Sequence, residues 1–381
     1  MRDNTRGARK TAKPIRCAII GTGRIGSSLE TDSLREKPAS HAGAIARNRE
    51  TALVAGADGD AENLAAFGAL WRLPKEALFS DAEAMLDGVK PDIVNIAADT
   101  EAHIPLLKLA LSARVPVIVL EKPVGVSVAE ARGILGAVDE AERTGTSRIV
   151  VNHERRFAAD YRRARDFIRS GELGRLMTIN ARLYMGKAKA SEKVLWHDGT
   201  HLVDVISFLA GPWDVVATHG DVTAVTGNFF AFGETRPGQT NETAGTDDSC
   251  NPGDASARDA TQAASETAGE EPVSIVIEAS PGRDHLAFEL DLSFSEGRIR
   301  VGNGVWEVWK SEQSRYYENF RSLALVEGKA GRGYGKTGYF SGMMVHAVDL
   351  FRNPTLPGES TFRDGLAAIE ILDRIITMAN E

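Results

Sequence analysis

Between residues 15 and 150 short runs of β-branched and other apolar residues alternate with amphipathic stretches. The runs are IRCAII, TALVAGA, DIVNIAA, VPVIVLE and SRIVV, and helical segments separate them. Strands spaced by whole helices pair in parallel, because antiparallel neighbours need only a short turn. The runs are apolar throughout rather than at every second residue, which marks strands buried on both faces. The pattern predicts an α/β fold that begins with a doubly wound parallel sheet of Rossmann type over residues 15–150.

The second half changes character. After Gly174 strand follows strand: RLMTINARLYM, DVVATHGDVTAVTGNFFAF, VSIVIEAS, HLAFELDLSF, GRIRVGN and VWEVWKS. Helical spacing appears at residues 201–209 and 362–378, where Leu366, Ile369, Leu372 and Ile376 share a face, and FSGMMVHAVDLF is a further helix. Residues 151–381 therefore read as a C-terminal α+β domain on a largely antiparallel sheet, serving substrate binding and oligomerisation. Within it, residues 233–272 are rich in Thr, Ala, Gly, Glu and Asp and too poor in large apolar groups to offset the entropy of ordering, which predicts a disordered insertion. Residues 1–14 read as a flexible basic tail.

With 381 residues, 43% of them hydrophobic, the chain has material for two cores. A formal charge of −8 argues against nucleic acid as a partner, since phosphate binding needs clustered Lys and Arg. The two cysteines lie far apart in unlike surroundings, so no disulfide framework is expected. The basic start lacks the apolar segment of a secretory signal, and no apolar run has the length to span a bilayer. These features lead to the expectation of a cytoplasmic protein with no membrane partner.

Gly21-Thr22-Gly23-Arg24-Ile25-Gly26 follows the first strand and opens a stretch with helical character. Glycines so placed allow a tight turn, close approach of backbone to a pyrophosphate and close packing of a helix. Alone the motif is weak. Asp58, at the end of the second strand, strengthens it, because a carboxylate there can accept from an adenosine ribose and repels a 2′-phosphate. NAD is favoured; Arg24 leaves NADP open, and Asp58 could equally cap the following helix. The spacing from Gly21 to Asp58 exceeds the usual one of roughly twenty residues. Residues 28–40 look inserted, as a lid or a plain surface loop.

Leu120-Glu121-Lys122-Pro123 closes the strand VPVIV, and Ile96-Ala97-Ala98-Asp99-Thr100 with His103 precedes it. Arg155-Arg156-Phe157, Ser170 to Gly174 (SGELG) and Asp198 to Asp204 (DGTHLVD) follow. In these motifs and their order the chain resembles the Gfo/Idh/MocA family of oxidoreductases. The resemblance implies that Lys122 and His201 are catalytic and that His197, Asp198, Asp204 and Arg156 meet substrate. It also implies that Gly21, Gly23, Arg24, Ile25, Gly26, Asp58, Ala97, Thr100, His103, Glu121 and Lys122 surround the nucleotide. A hydride would then move between NAD(P) and a hydroxyl carbon of a sugar, polyol, cyclitol or related substrate, in a homo-oligomer, dimer or tetramer. Redox-assisted bond cleavage without net cofactor turnover and a non-catalytic ligand sensor are the alternatives.

Oxidising an alcohol requires a base that is uncharged near neutrality, the usual task of histidine. A lysine at the carboxyl end of a parallel strand projects into the crevice where such sheets bind ligands. The family's Asp four residues before the catalytic His is here His197, with Asp198 three before. On a regular helix one residue is about 100° of rotation, so Asp198 either faces substrate from a shifted angle or is the helix N-cap. His197 and His201 also have the spacing of a metal pair, but no third ligand is evident and no metal is expected. Trp196, Tyr184 and the glycine-rich run of residues 328–339 are further candidates for the pocket wall.

Overall fold

A computed structural model of the chain describes residues 13–185, 190–224, 227–236, 271–329 and 332–381. Strands β1 (Ile15–Ile20), β2 (Thr51–Ala57), β3 (Leu78–Phe79), β4 (Ile93–Ile96), β5 (Val117–Leu120) and β6 (Arg148–Val151) form a parallel sheet in the order 3-2-1-4-5-6. Helices α1 (His41–Arg47), α2 (Ala61–Trp71), α3 (Ala82–Val89), α4 (Thr100–Ser112) and α5 (Val128–Arg143) connect them. Every residue of β4 and β5 is buried, as their unbroken apolar sequence requires. Ser40, Asp60, Asp81 and Ser127 accept hydrogen bonds from the first turns of α1, α2, α3 and α5 and so fix where each helix starts. The strand order reverses between β1 and β4, which opens a crevice at the carboxyl ends of those strands.

The second sheet has the order β14-β13-β12-β11-β7-β10-β9-β8. Its strands are β7 (Leu176–Tyr184), β8 (Trp213–His219), β9 (Phe229–Thr235), β10 (Ser274–Ser280), β11 (Ala287–Phe294), β12 (Gly297–Gly302), β13 (Val305–Gln313) and β14 (Arg321–Gly328). Only β7 and β10 pair in parallel; the other neighbours are antiparallel. Helices α6 (Ala159–Ser170), α7 (Ser191–Val194) and α8 (Thr200–Ala210) pack on it through Tyr161, Phe167, Val194, Leu202 and Ile206. Two details depart from the sequence reading. The long run from residue 214 to 232 is two antiparallel strands, and β14 is a strand that the pattern did not reveal. The insertion expected over residues 233–272 starts too early, since β9 continues to Thr235 and Gly233 packs under the Trp213 ring. Residues 237–270, like residues 1–12, lie outside the described part.

The chain then returns to the first sheet. Helix α9 (Tyr339–Arg352) places Phe340, Met343 and Ala347 against Ile19, Val117 and Val119. Helix α10 (Phe362–Asn380) gives Phe362, Leu366 and Ile369 to the core around Val124 and Val151, and Leu372 and Ile375 to the core of the second sheet. One helix thus belongs to both cores, and its start is set by a capping box between Thr361 and Asp364.

Residues 28–40 are spliced into what would otherwise be one helix. Ser27 and Leu29 close helical turns onto Gly23 and Arg24, the chain leaves, and α1 resumes with His41 N donating to Ile25 O at 3.2 Å and Ala42 N to Gly26 O at 3.0 Å. The excursion reaches the head of α9, which packs beside α1 on the first sheet. There the Glu36 carboxylate accepts from Thr337 N (2.9 Å), Thr337 Oγ1 (3.1 Å) and Gly338 N (2.8 Å) at the head of α9. Glu36→Ala should lower stability by about 1.5–3 kcal/mol, the range for hydrogen bonds to a charged group. It should also speed amide exchange at Thr337 and Gly338. Unchanged exchange at those two amides would show that the excursion is not held there.

Candidate active site

The chain turns at Gly21 (φ +89), where a Cβ would lie 2.5 Å from Ala98 N and strain the backbone as well. Gly23 is different. Its missing Cβ faces open space, with Asn63 Nδ2 at 3.6 Å as the nearest atom. Among the described residues the backbone N–H groups of Gly23, Arg24, Ile25 and Gly26 donate to no acceptor. Such a row of unspent donors on a backbone open to approach fits a pyrophosphate. Asp58 holds the turn in shape: one carboxylate oxygen accepts from Thr22 N (2.7 Å) and Thr22 Oγ1 (2.9 Å), the other from Asp60 N (2.9 Å). It does not cap α2, a task that falls to Asp60. A carboxylate has about four lone-pair sites, so Asp58 keeps acceptor capacity for a ribose hydroxyl.

Beside the turn, Ala97 N donates to Ile20 O at 2.7 Å and Thr100 opens α4, so both stand on the crevice rim. Two residues expected at the nucleotide are occupied otherwise. His103 is buried with Nδ1 2.7 Å from Pro123 O and Nε2 3.0 Å from Ala98 O, so it braces two loops and has no ring nitrogen left for a ligand. Glu121 is buried with Oε1 2.7 Å from His41 Nε2 and 2.5 Å from Asn152 Nδ2. Burial would raise its carboxyl, but His41, Lys122 and Asn152 outweigh that and hold it down to about 2. Both side chains brace the loop that carries Lys122. Lys122 itself is part-exposed and crosses the crevice, donating from Nζ to His197 O at 3.0 Å.

The far wall is fixed by a buried ion pair. Arg156 Nε lies 3.0 and 2.9 Å from the two oxygens of Asp204, and its Nη2 reaches Asp204 Oδ1 at 2.8 Å and Asp364 Oδ1 at 3.1 Å. His153 Nδ1 lies 3.0 Å from the same Asp204 oxygen. Burial alone would raise the Asp204 carboxyl; Arg156 and His153 hold it below the usual carboxylate range. Arg156 and Asp204, both expected among the substrate-binding residues, are paired with each other. They tie the end of β6 to α8 and, through Asp364, to α10. His201, one turn from Asp204, lies edge-on to His153 with ring centroids 6.2 Å apart. Its Nδ1 is buried without a partner, although the residue keeps part of its surface open. Loss of solvent around the ring, together with the charges of Lys122 and Arg155, holds this imidazole well below the ordinary 6.5.

The helix that carries His201 does not begin at Gly199. It runs from Ser191 through a π-turn at Leu195–Gly199 into α8, with Gly199 and Thr200 in helical conformation. Asp198 is therefore inside a helix and is not its N-cap. A π-turn closes from i to i+5, one residue more than an α-turn, so α-helical spacing between Asp198 and His201 does not carry across it. His197 is exposed, and its Nδ1 lies 3.5 Å from Asp198 Oδ1. Trp196 packs against both cores and Tyr184 donates to Glu278 at 2.7 Å, so both have structural employment. Among the described residues no group of three or more His, Cys, Asp or Glu is arranged to hold a metal ion, and no helix is long and apolar enough to cross a membrane. Sequence reasoning gave no site role to His41, Asn152, His153 or Arg155, although Arg155 opens the RRF motif and His153 lies two residues before it.

Residues 15–148 match the model of an oxidoreductase family, Gfo/Idh/MocA, described by its NAD-binding Rossmann fold. D-glucoside 3-dehydrogenase of Escherichia coli is 25% identical over 53% of this chain and 55% of its own length. Inositol 2-dehydrogenase of Corynebacterium glutamicum is 27% identical over 52% of this chain and 55% of its own. The chain thus matches about half the length of these curated relatives. In overall fold it is similar to an oxidoreductase from Agrobacterium radiobacter solved with NAD+, L-tartaric acid and magnesium. That similarity has a TM-score of 0.66 at 14% identity and covers 97% of both chains.

Removing one partner of a buried ion pair leaves the other charge uncompensated. Asp204→Ala should cost about 3–5 kcal/mol, read from the urea midpoint, and the double variant with Arg156→Met should recover part of that loss. Equal stability of the single and double variants would mean that Arg156 does not depend on Asp204.

Proposed function

We propose that the protein is an NAD-dependent dehydrogenase that oxidises a CH–OH group of a sugar, polyol or cyclitol, or reduces the matching carbonyl. The observation that carries this reading is the pairing across one crevice of Lys122, at the carboxyl end of β5, with a neutral His201 on α8. Lys122 stands on the sheet whose first strand ends in a glycine turn with unspent N–H groups. The curated relatives, named as dehydrogenases of a glucoside and of inositol, support the substrate class.

The Gly23–Gly26 amides would hold the pyrophosphate and Asp58 a ribose hydroxyl, while the Asp58 charge disfavours NADP. Bound NAD supplies the hydride acceptor. The chain's own groups handle the proton: the substrate hydroxyl accepts from the Lys122 ammonium and donates to His201, which takes the proton as the carbonyl forms. The Lys122 ammonium then faces the oxygen where negative charge develops. For this role His201 must be uncharged at rest, which its depressed pKa provides. His153 and the Asp204–Arg156 pair behind it fix the helix rather than the proton.

A spectrophotometric screen of NAD and NADP against sugars, cyclitols and sugar acids tests the reading. NADH should form with at least one neutral polyol, and silence across the panel would contradict it. His201→Asn should lower turnover by at least about 100-fold, the lower range for a general base, and leave NAD affinity nearly unchanged; wild-type turnover in this variant would remove His201 from the chemistry. Because the folded-state pKa of His201 is lowered, the base stays neutral as pH falls through 6.5. The acid limb of kcat/KM should therefore lie below that value, and a limb centred at or above 6.5 would assign the titration to another group.

A further inference from the structure

The segment that follows β6 employs nearly all of its polar side chains. Asn152 reaches Glu121, His153 lies against Asp204 and His201, and Arg156 pairs with Asp204. Arg155 donates to Asn303 Oδ1 at 2.9 Å, with its guanidinium 4.3 Å above the Phe288 ring. Glu154 alone is left over: among the described residues its carboxyl makes no hydrogen bond and no ion pair.

Its place in the fold is specific. Val151 pairs in register with Leu120, so Glu154, just beyond the end of β6, stands on the same rim as Glu121 and Lys122. Its electrostatic neighbours are Arg155, Glu121, Lys122 and Arg35 of the inserted excursion, and Tyr339 at the head of α9 is influenced by it in turn. The residue is part-exposed, and loss of solvent raises its carboxyl above the ordinary value despite the nearby cations. Standing on the Lys122 rim with its acceptor sites unmatched by any described residue, this carboxylate has capacity for a ligand.

The chemistry of that ligand follows from what is already matched. Arg35 Nε lies 3.4 Å from Asp32, Arg155 is held by Asn303, and Lys122 is committed to the crevice between His197 and the reacting oxygen. A carboxylate-bearing ligand would meet Glu154 with like charge. Hydroxyl groups would meet an acceptor, and the two oxygens of one carboxylate can take two neighbouring hydroxyls. We propose that Glu154 is a specificity-determining residue that accepts hydrogen bonds from substrate hydroxyls beside the reacting carbon. By its charge it selects neutral polyhydroxylated substrates over their carboxylate-bearing counterparts. The inference rests on the dehydrogenase reading for the identity of the reacting carbon.

The test is calorimetric titration of the NAD-saturated wild type, Glu154→Gln and Glu154→Ala with myo-inositol, methyl β-D-glucoside and D-glucuronate, with NADH formation followed in parallel. The wild type should bind at least one neutral probe about tenfold or more tightly than glucuronate. Glu154→Ala should weaken neutral binding by about tenfold or more, the loss of about one hydrogen bond to a charged group. Glu154→Gln should weaken it less and narrow the gap to glucuronate, because the charge is gone while an acceptor remains. Neither variant should bind NAD differently or melt lower, since no protein contact is lost. Unchanged neutral binding in Glu154→Ala, preference of the wild type for glucuronate, or no binding of any probe would overturn the proposal. So would a lowered melting temperature with equal losses on all ligands. If the expected binding pattern appears without NADH, the dehydrogenase reading fails and the assignment of Glu154 stands.

Discussion

The ion pair between Arg156 and Asp204 sets the geometry on which the crevice depends. It joins the loop after β6 to α8, and through Asp364 it reaches the capped start of α10, the helix shared by both cores. Burying two charges is costly, and replacement by apolar groups often leaves a protein as stable or more so. What the pair supplies instead is position. Three donors of one guanidinium engage two carboxylates and the Glu359 carbonyl, so α8 has one angle at which these bonds close. That angle brings His201 opposite Lys122.

From this constraint the electrical character of the site follows. Asp204 is paired to Arg156 rather than to His201. The ring meets burial and positive neighbours and stays neutral. On the near wall Glu121 is held ionised by His41 and Asn152, so its charge is spent below the surface and Lys122 alone presents a charge from that loop. Arg156 and Glu121 therefore act behind the reacting groups, each placing a neighbour that does face the crevice.

The fold was legible where local sequence and global packing agree. Unbroken apolar runs such as VIVL predicted strands buried on both faces, and Lys122 and His201 are proposed from motifs at the end of such a strand and on a helix. What escaped the sequence depends on contacts between distant residues or on a single irregular turn. Nothing in Arg156 or Asp204 announces that they pair, and taken singly each resembles a ligand-binding group. The π-turn at Leu195–Gly199 leaves no mark on composition, yet it removes Asp198 from the helix start and voids α-helical spacing. The excursion at residues 28–40 was visible as surplus length, but its anchorage by Glu36 to the head of α9 is a tertiary fact. Glu154 was invisible for the opposite reason: its distinguishing property is the partner it lacks.

The most direct test of the central claim, that the glycine turn, Lys122 and His201 line one crevice, is the crystal structure of the complex with NAD. The account predicts the pyrophosphate within hydrogen-bond distance of the Gly23–Gly26 amides, a ribose hydroxyl on Asp58, and the nicotinamide ring between Lys122 and His201. NAD bound elsewhere, or bound with its nicotinamide directed away from both residues, would contradict it.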